Sequence, residues 1–203
     1  METPQILDVH LDDEDFNQGI QFINFVKSPA IEENFIALSA EAPIQLASQK
    51  DKQYVTGAVL VPGKLIPRRN NTVLRFSADS IEKIRNKFHQ NGNVQETNIE
   101  HGEEMVKTNL IESWIKTDAH DKSVALGLGE QPVGTWFATY YIPSATDWTT
   151  YVLSKQCEGF SIEGILSHVE AKLAEEVPVE EVVSDIDTDI KQLMQQILNK
   201  LND

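Results

Sequence analysis

The sequence predicts an α+β domain in which strands predominate, and three observations carry that expectation. Short runs rich in β-branched and aromatic residues recur between residues 18 and 170, bounded by proline, glycine or asparagine. In the same span a clear helical spacing, between a cap and a terminating glycine, is confined to residues 80–90. A chain of 203 residues, 40% of them hydrophobic, suffices for one well-buried domain and an appendage.

The first strand expected is residues 20–26, ended by Ser28-Pro29. A second short apolar segment holds Phe35, Ile36 and Leu38, and residues 39–53, rich in Ala, Ser and Gln, read as a loop. Residues 54–61 form a strand stopped by Pro62-Gly63, and a polar turn over 66–71 leads to a short strand at 73–76. Ser77 or Asp79 caps the helix, whose Ile81, Ile84 and Phe88 share one face. Asn91-Gly92-Asn93 ends it, because glycine accepts the left-handed position beyond a helix. Residues 94–101 return extended to His101, residues 110–115 are a strand, and 118–122 a turn. Residues 134–142 are the most strongly β-forming run, with Trp136, Phe137, Tyr140 and Tyr141. Residues 143–147 break it. Residues 148–154 start the element that delivers a turn at Ser161, and 162–168 read as a further strand. The total is about six or seven strands and one clear helix.

The two ends differ from this middle. Residues 1–17 are acidic and polar, densest at Asp12-Asp13-Glu14-Asp15, and read as a solvated segment before a domain spanning 18–173. Residues 174–184 are an acidic linker broken by Pro178. In residues 185–203, Ile186, Ile190, Leu193, Met194, Ile197 and Leu201 fall at steps of three and four, the seam of an amphipathic C-terminal helix. The linker favours a docking helix over one folded back on the domain.

A net charge of −15 argues against nucleic-acid or anionic-membrane binding, since phosphates would repel such a chain. One cysteine, Cys157, excludes an internal disulfide and fits a reducing compartment. No apolar run approaches the ~20 residues that span a bilayer, and Met1-Glu2-Thr3-Pro4 does not open a signal peptide. A soluble intracellular protein is expected.

For chemistry, the stretch Gly159-Phe160-Ser161-Ile162-Glu163-Gly164 sets a hydroxyl between small residues that allow a sharp turn and close substrate approach. An ordinary β-turn is the competing reading. A serine nucleophile needs a base, and five histidines are available: His10, His89, His101, His120 and His168. His101 ends an extended segment beside Gly102 and Glu103-Glu104, a placement suited to a general base, although a surface histidine in an acidic turn is the commoner occupant of such a position. Gly127-Leu128-Gly129 lacks the lysine of a phosphate loop, and no Cys or His pair has zinc spacing. Neither cofactor nor metal is expected, and Cys157 reads as a buried filler.

Three blocks in order resemble the phage prohead (capsid maturation) serine proteases of the XkdF type. They are residues 22–35; Asn98-Ile99-Glu100-His101 with the strand 110–115; and Gly134-Thr135-Trp136 with residues 159–164. The resemblance covers about residues 18–168. It implies a herpesvirus-assemblin-like fold, a mostly antiparallel β-barrel with surrounding helices. It implies an endopeptidase that cuts scaffold and major capsid protein propeptides inside the assembling procapsid, in the bacterial host cytoplasm. Ser161 would be the nucleophile and His101 its base, with Glu112 expected as the third member and His168, Asn24 and Asp118 as competitors. Related proteases often place an acid in a block ending Pro-Ala; here Pro29-Ala30 precedes the histidine and Phe22 stands where that acid is expected. The helix at 186–201 would associate with scaffold or with itself. A non-catalytic virion or scaffold-associated protein of the same fold is the alternative, and a small-ester hydrolase comes third.

Overall fold

A computed structural model describes residues 3–12, 15, 17–31, 36–38, 52–68, 70–92 and 94–170. The strands are β1 (Gln5–His10), β2 (Gly19–Val26), β3 (Ile36–Leu38), β4 (Tyr54–Leu60), β5 (Ile66–Pro67) and β6 (Thr72–Phe76), then β7 (Glu96–Asn98), β8 (Met105–Lys107), β9 (Asn109–Ile115), β10 (Trp136–Tyr141), β11 (Gly159–Ile165) and β12 (Ser167–Glu170). The helices among the described residues are α1 (Ala78–Asn91), the short α2 (Lys122–Ala125) and α3 (Ala145–Asp147), and a π-helix (Trp148–Leu153). The architecture is mixed α+β with strands in the majority. The expected linker and C-terminal helix, residues 174–203, lie outside the described residues.

Among the described residues the ladders form four sheets, ordered β12-β1-β6-β5, β3-β4-β10-β9, β11-β2 and β7-β8. They close no barrel, which corrects the expectation drawn from the resemblance. The reason is the pairing of β2 with β11, which joins these two strands to each other rather than to both four-stranded sheets.

Residues 5–10, expected as a solvated segment, are instead the strand β1, antiparallel to β12 and parallel to β6. The parallel register sets Asp8 opposite Arg75, and the carboxylate accepts two guanidinium hydrogen bonds at 2.7 and 2.9 Å. Val9 and Leu11 enter the core. A paired charge therefore stands on the strand that the acidic composition disguised.

Helix α1 follows the sequence closely. Ser77 caps it by accepting from Ser80 N, and Gly92 ends it at φ 74. Ile81, Ile84 and Phe88 are its buried residues, and the helix lies against β2 and β10. Each such side chain stabilises the fold by about 1.5–3 kcal/mol relative to exposure.

Alternation on β2 and β11 decides what faces the core and what faces out. Ile23 and Phe25 of β2 and Phe160 of β11 point inward, where Phe25, Phe160 and Tyr140 form a triangle with ring centroids 5.5–5.7 Å apart. Asn24 and Ser161 occupy the opposite face, directly across from each other in the ladder.

Candidate active site

Ser161 sits within β11, not in a turn before a strand as its glycine neighbours suggested. On a strand, residues two apart share a face, so Ser161 and Glu163 project together beside Asn24 of β2. The ladder shifts register just after Glu163, where Gly164 pairs with Ile20 and Gln21 is left over on β2. Gly164 is required there. A Cβ on it would stand 2.2 Å from the Gly19 carbonyl oxygen and 2.7 Å from Ile20 Cα.

The second half of the site arrives on the hairpin of β7 and β8. A parallel bridge between Phe25 and Ile99, and a bond from Glu100 N to Phe25 O at 3.0 Å, seat the hairpin against β2. Its turn has two consecutive left-handed residues that are not glycine, Glu100 at φ 54 and His101 at φ 57. Such residues cost of order 1–3 kcal/mol each and persist only where surroundings fix them. Here Gly102 N donates to Ile99 O at 2.8 Å, Ile99 N donates to Glu104 O at 3.0 Å, and the Glu100 carboxylate accepts from Lys27 N.

The turn delivers the imidazole to the serine. His101 Nε2 lies 3.0 Å from Ser161 Oγ. On the other side of the ring, Nδ1 lies 2.6 Å from Asn24 Nδ2 and 3.5 Å from Glu163 Oε2. The same Glu163 oxygen accepts from Asn24 Nδ2 at 3.1 Å and from Asn98 Nδ2 at 3.2 Å. Asn24 and Asn98 are buried, whereas His101 and Glu163 are 43% and 44% exposed. The Asn98 amide, then the Asn24 amide and the His101 imidazole, hold the Glu163 carboxyl below the usual carboxylate range against desolvation.

This arrangement pairs an alcohol with a base and the base with an orienting carboxylate, the requirement for nucleophilic catalysis. Taking the serine proton needs Nε2 free and the ring proton on Nδ1, toward Glu163, which requires the Asn24 amide nitrogen, a donor 2.6 Å from Nδ1, to turn away. With the proton on Nε2, the Asn24 amide satisfies Nδ1 and the ring donates to Ser161.

The structure thus brings Ser161, His101 and the competitor Asn24 together, and leaves the expected Glu112 elsewhere. Glu112 lies on β9 in a different sheet, 3.0 Å from Lys122 Nζ and accepting from Thr139 Oγ1 at 3.3 Å. His168, on β12, pairs with Val9 of β1, and Asp118 accepts from His120 N at 2.7 Å in the turn after β9. Glu163 and Asn98 were missed. The signal for Glu163 was present as the two-residue step from Ser161, legible once residues 159–165 are read as one strand.

Among the described residues no group of three or more His, Cys, Asp or Glu is placed to hold a metal ion, and no helix is long and apolar enough to cross a membrane. No curated protein and no solved structure matches the chain. Residues 41–170 match the family described as "Putative phage serine protease XkdF", a stretch that includes His101, Ser161 and Glu163 and begins after Asn24. With most of its length inside that match, the chain belongs to this family of phage serine proteases.

Proposed function

We propose that the chain is a serine endopeptidase of capsid maturation, with Ser161 as nucleophile, His101 as base and Glu163 in place of Glu112 as the orienting carboxylate. The observation that carries this reading is the 3.0 Å separation of His101 Nε2 and Ser161 Oγ, made by residues 60 apart in sequence. Ser161 Oγ attacks the scissile carbonyl carbon while Nε2 takes its proton, giving a tetrahedral intermediate. The imidazolium then returns the proton to the leaving amine, and a water activated by the same ring releases the acyl group. Glu163 stabilises the imidazolium, and the Asn24 and Asn98 amides hold Glu163 in place.

The substrates of this reading are scaffold and major capsid protein propeptides within the procapsid, in the host cytoplasm. A C-terminal docking helix at 186–201, after an acidic linker, belongs to the same proposal. Co-expression with scaffold and capsid precursors tests it. The wild-type chain is expected to shorten them, and Ser161→Ala and His101→Ala to leave them intact. Cleavage that persists in Ser161→Ala removes the reading, and intact precursors beside the wild-type chain favour a fold kept without turnover.

A further inference from the structure

We propose that Tyr151 and Glu104 are positioning residues for His101, joined by a hydrogen bond that ties the turn carrying the base to the root of the strand carrying Ser161. The inference rests on the peptidase reading above and concerns what sets the distance between the two reacting groups. The turn is anchored on its entering side, where Glu100 is bonded to Phe25 and Lys27 of β2 and the segment just after it. Its returning side, residues 102–104, is exposed. There the Tyr151 hydroxyl donates to the Glu104 carboxylate, and Glu104 O in turn accepts from Ile99 N.

Tyr151 is well suited to act as the fixed end. It lies in the π-helix, is 7% exposed, and its carbonyl accepts from Cys157 N at 2.8 Å, two residues before β11 begins. The widened turn is real in the bonding, since Ser154 N donates to Thr149 O, five residues back. Such insertions recur at functional sites because they re-aim side chains. A second link runs alongside: Lys27 Nζ meets Glu158 Oε2 at 2.7 Å and Lys155 O at 2.6 Å, while Lys27 N holds Glu100. The base-bearing turn is therefore braced on both sides against the segment 151–158. The Glu104 bond also keeps the Tyr151 phenol protonated, pushing it up to about 12, so that it remains a donor across the working range.

A fluorophosphonate probe reads the effect without a known substrate. Ser161 Oγ bonds to phosphorus, fluoride leaves, and His101 takes the serine proton. Tyr151→Phe and Glu104→Ala are expected to lower the maximal labelling rate roughly 10- to 100-fold, with probe affinity unchanged. Glu104→Gln retains an acceptor for the phenol and is expected to restore most of the rate, which a purely structural role does not predict. His101 ring resonances in nitrogen-15 spectra are expected to move in Tyr151→Phe. Folded Tyr151→Phe or Glu104→Ala proteins that label at the wild-type rate overturn the tie and leave the peptidase reading standing. A wild-type chain that takes no label, while the His101 resonances move in Tyr151→Phe, overturns the peptidase reading and supports the tie. Unmoved resonances overturn the tie in either case.

Discussion

Replacing Glu163 by glutamine removes one negative charge and almost no volume from the site, which makes it the sharpest probe of the orienting role. The carboxylate lies 3.5 Å from His101 Nδ1. At that distance an imidazolium and a carboxylate attract by about 1 kcal/mol in water and about 5 kcal/mol at an effective dielectric near 20. Both side chains are more than 40% exposed, which places the pair in the lower half of that range, about 1–2.5 kcal/mol. The charge develops on His101 as the serine attacks, so the loss falls on the rate, roughly 5- to 70-fold. The assay is the rate of fluorophosphonate labelling, beside a melting curve for each variant. Glu112→Gln, whose carboxylate meets Lys122 and Thr139, is expected to label as the wild type does. A Glu163→Gln protein that reacts at the wild-type rate refutes the argument, as does a Glu112→Gln protein that reacts slowly while folded. The same carboxyl carries a stability signature. Its folded-state pKa is depressed, first by Asn98, so it stabilises the fold above the ordinary carboxylate range. That contribution disappears as the pH falls through the depressed value. Wild type is therefore expected to lose more stability than Glu163→Gln between about pH 5 and pH 3.

Other expectations concern the scaffold of the site. Gly164→Ala would press a methyl group against the Gly19 and Ile20 backbone, so urea unfolding should show a loss of about 1–3 kcal/mol and slower labelling. Lys116 is buried and donates to the Gly129 and Gln131 carbonyls at 2.5 and 2.7 Å. Lys116→Met leaves both carbonyls without that donor and is expected to cost about 2–4 kcal/mol by the same assay, with an unchanged midpoint counting against it. Burial first, then Glu100 and Glu104, push the Cys157 thiol up to about 12. The native protein is expected to resist alkylation at neutral pH and to react once unfolded, whereas fast reaction of the folded chain would show an open site.

Much of the fold was legible where local chemistry and tertiary packing agree. Ser77, the Ile81, Ile84 and Phe88 face and Gly92 spell out α1, and the aromatic run announced β10. Residues 5–10 were hidden because Asp8 and His10 interrupt the apolar pattern, and only the partner strand β6 supplies the arginine that pairs Asp8. The pairing of Ser161 with His101 was reached through resemblance, since nothing in local spacing reports a hairpin crossing β2 to meet β11. Sequence order points to Glu112, whose strand follows His101, but the chain leaves the site after β8 and carries β9 into another sheet. Glu163 escaped notice because glycines on either side of Ser161 suggested a turn, which conceals the two-residue step that a strand imposes.

Covalent labelling followed by peptide mapping reads whether His101 makes Ser161 nucleophilic. One adduct is expected, on Ser161, lost in Ser161→Ala and nearly lost in His101→Ala. A folded wild-type protein that carries no adduct, or an adduct on another residue that survives both substitutions, would contradict it.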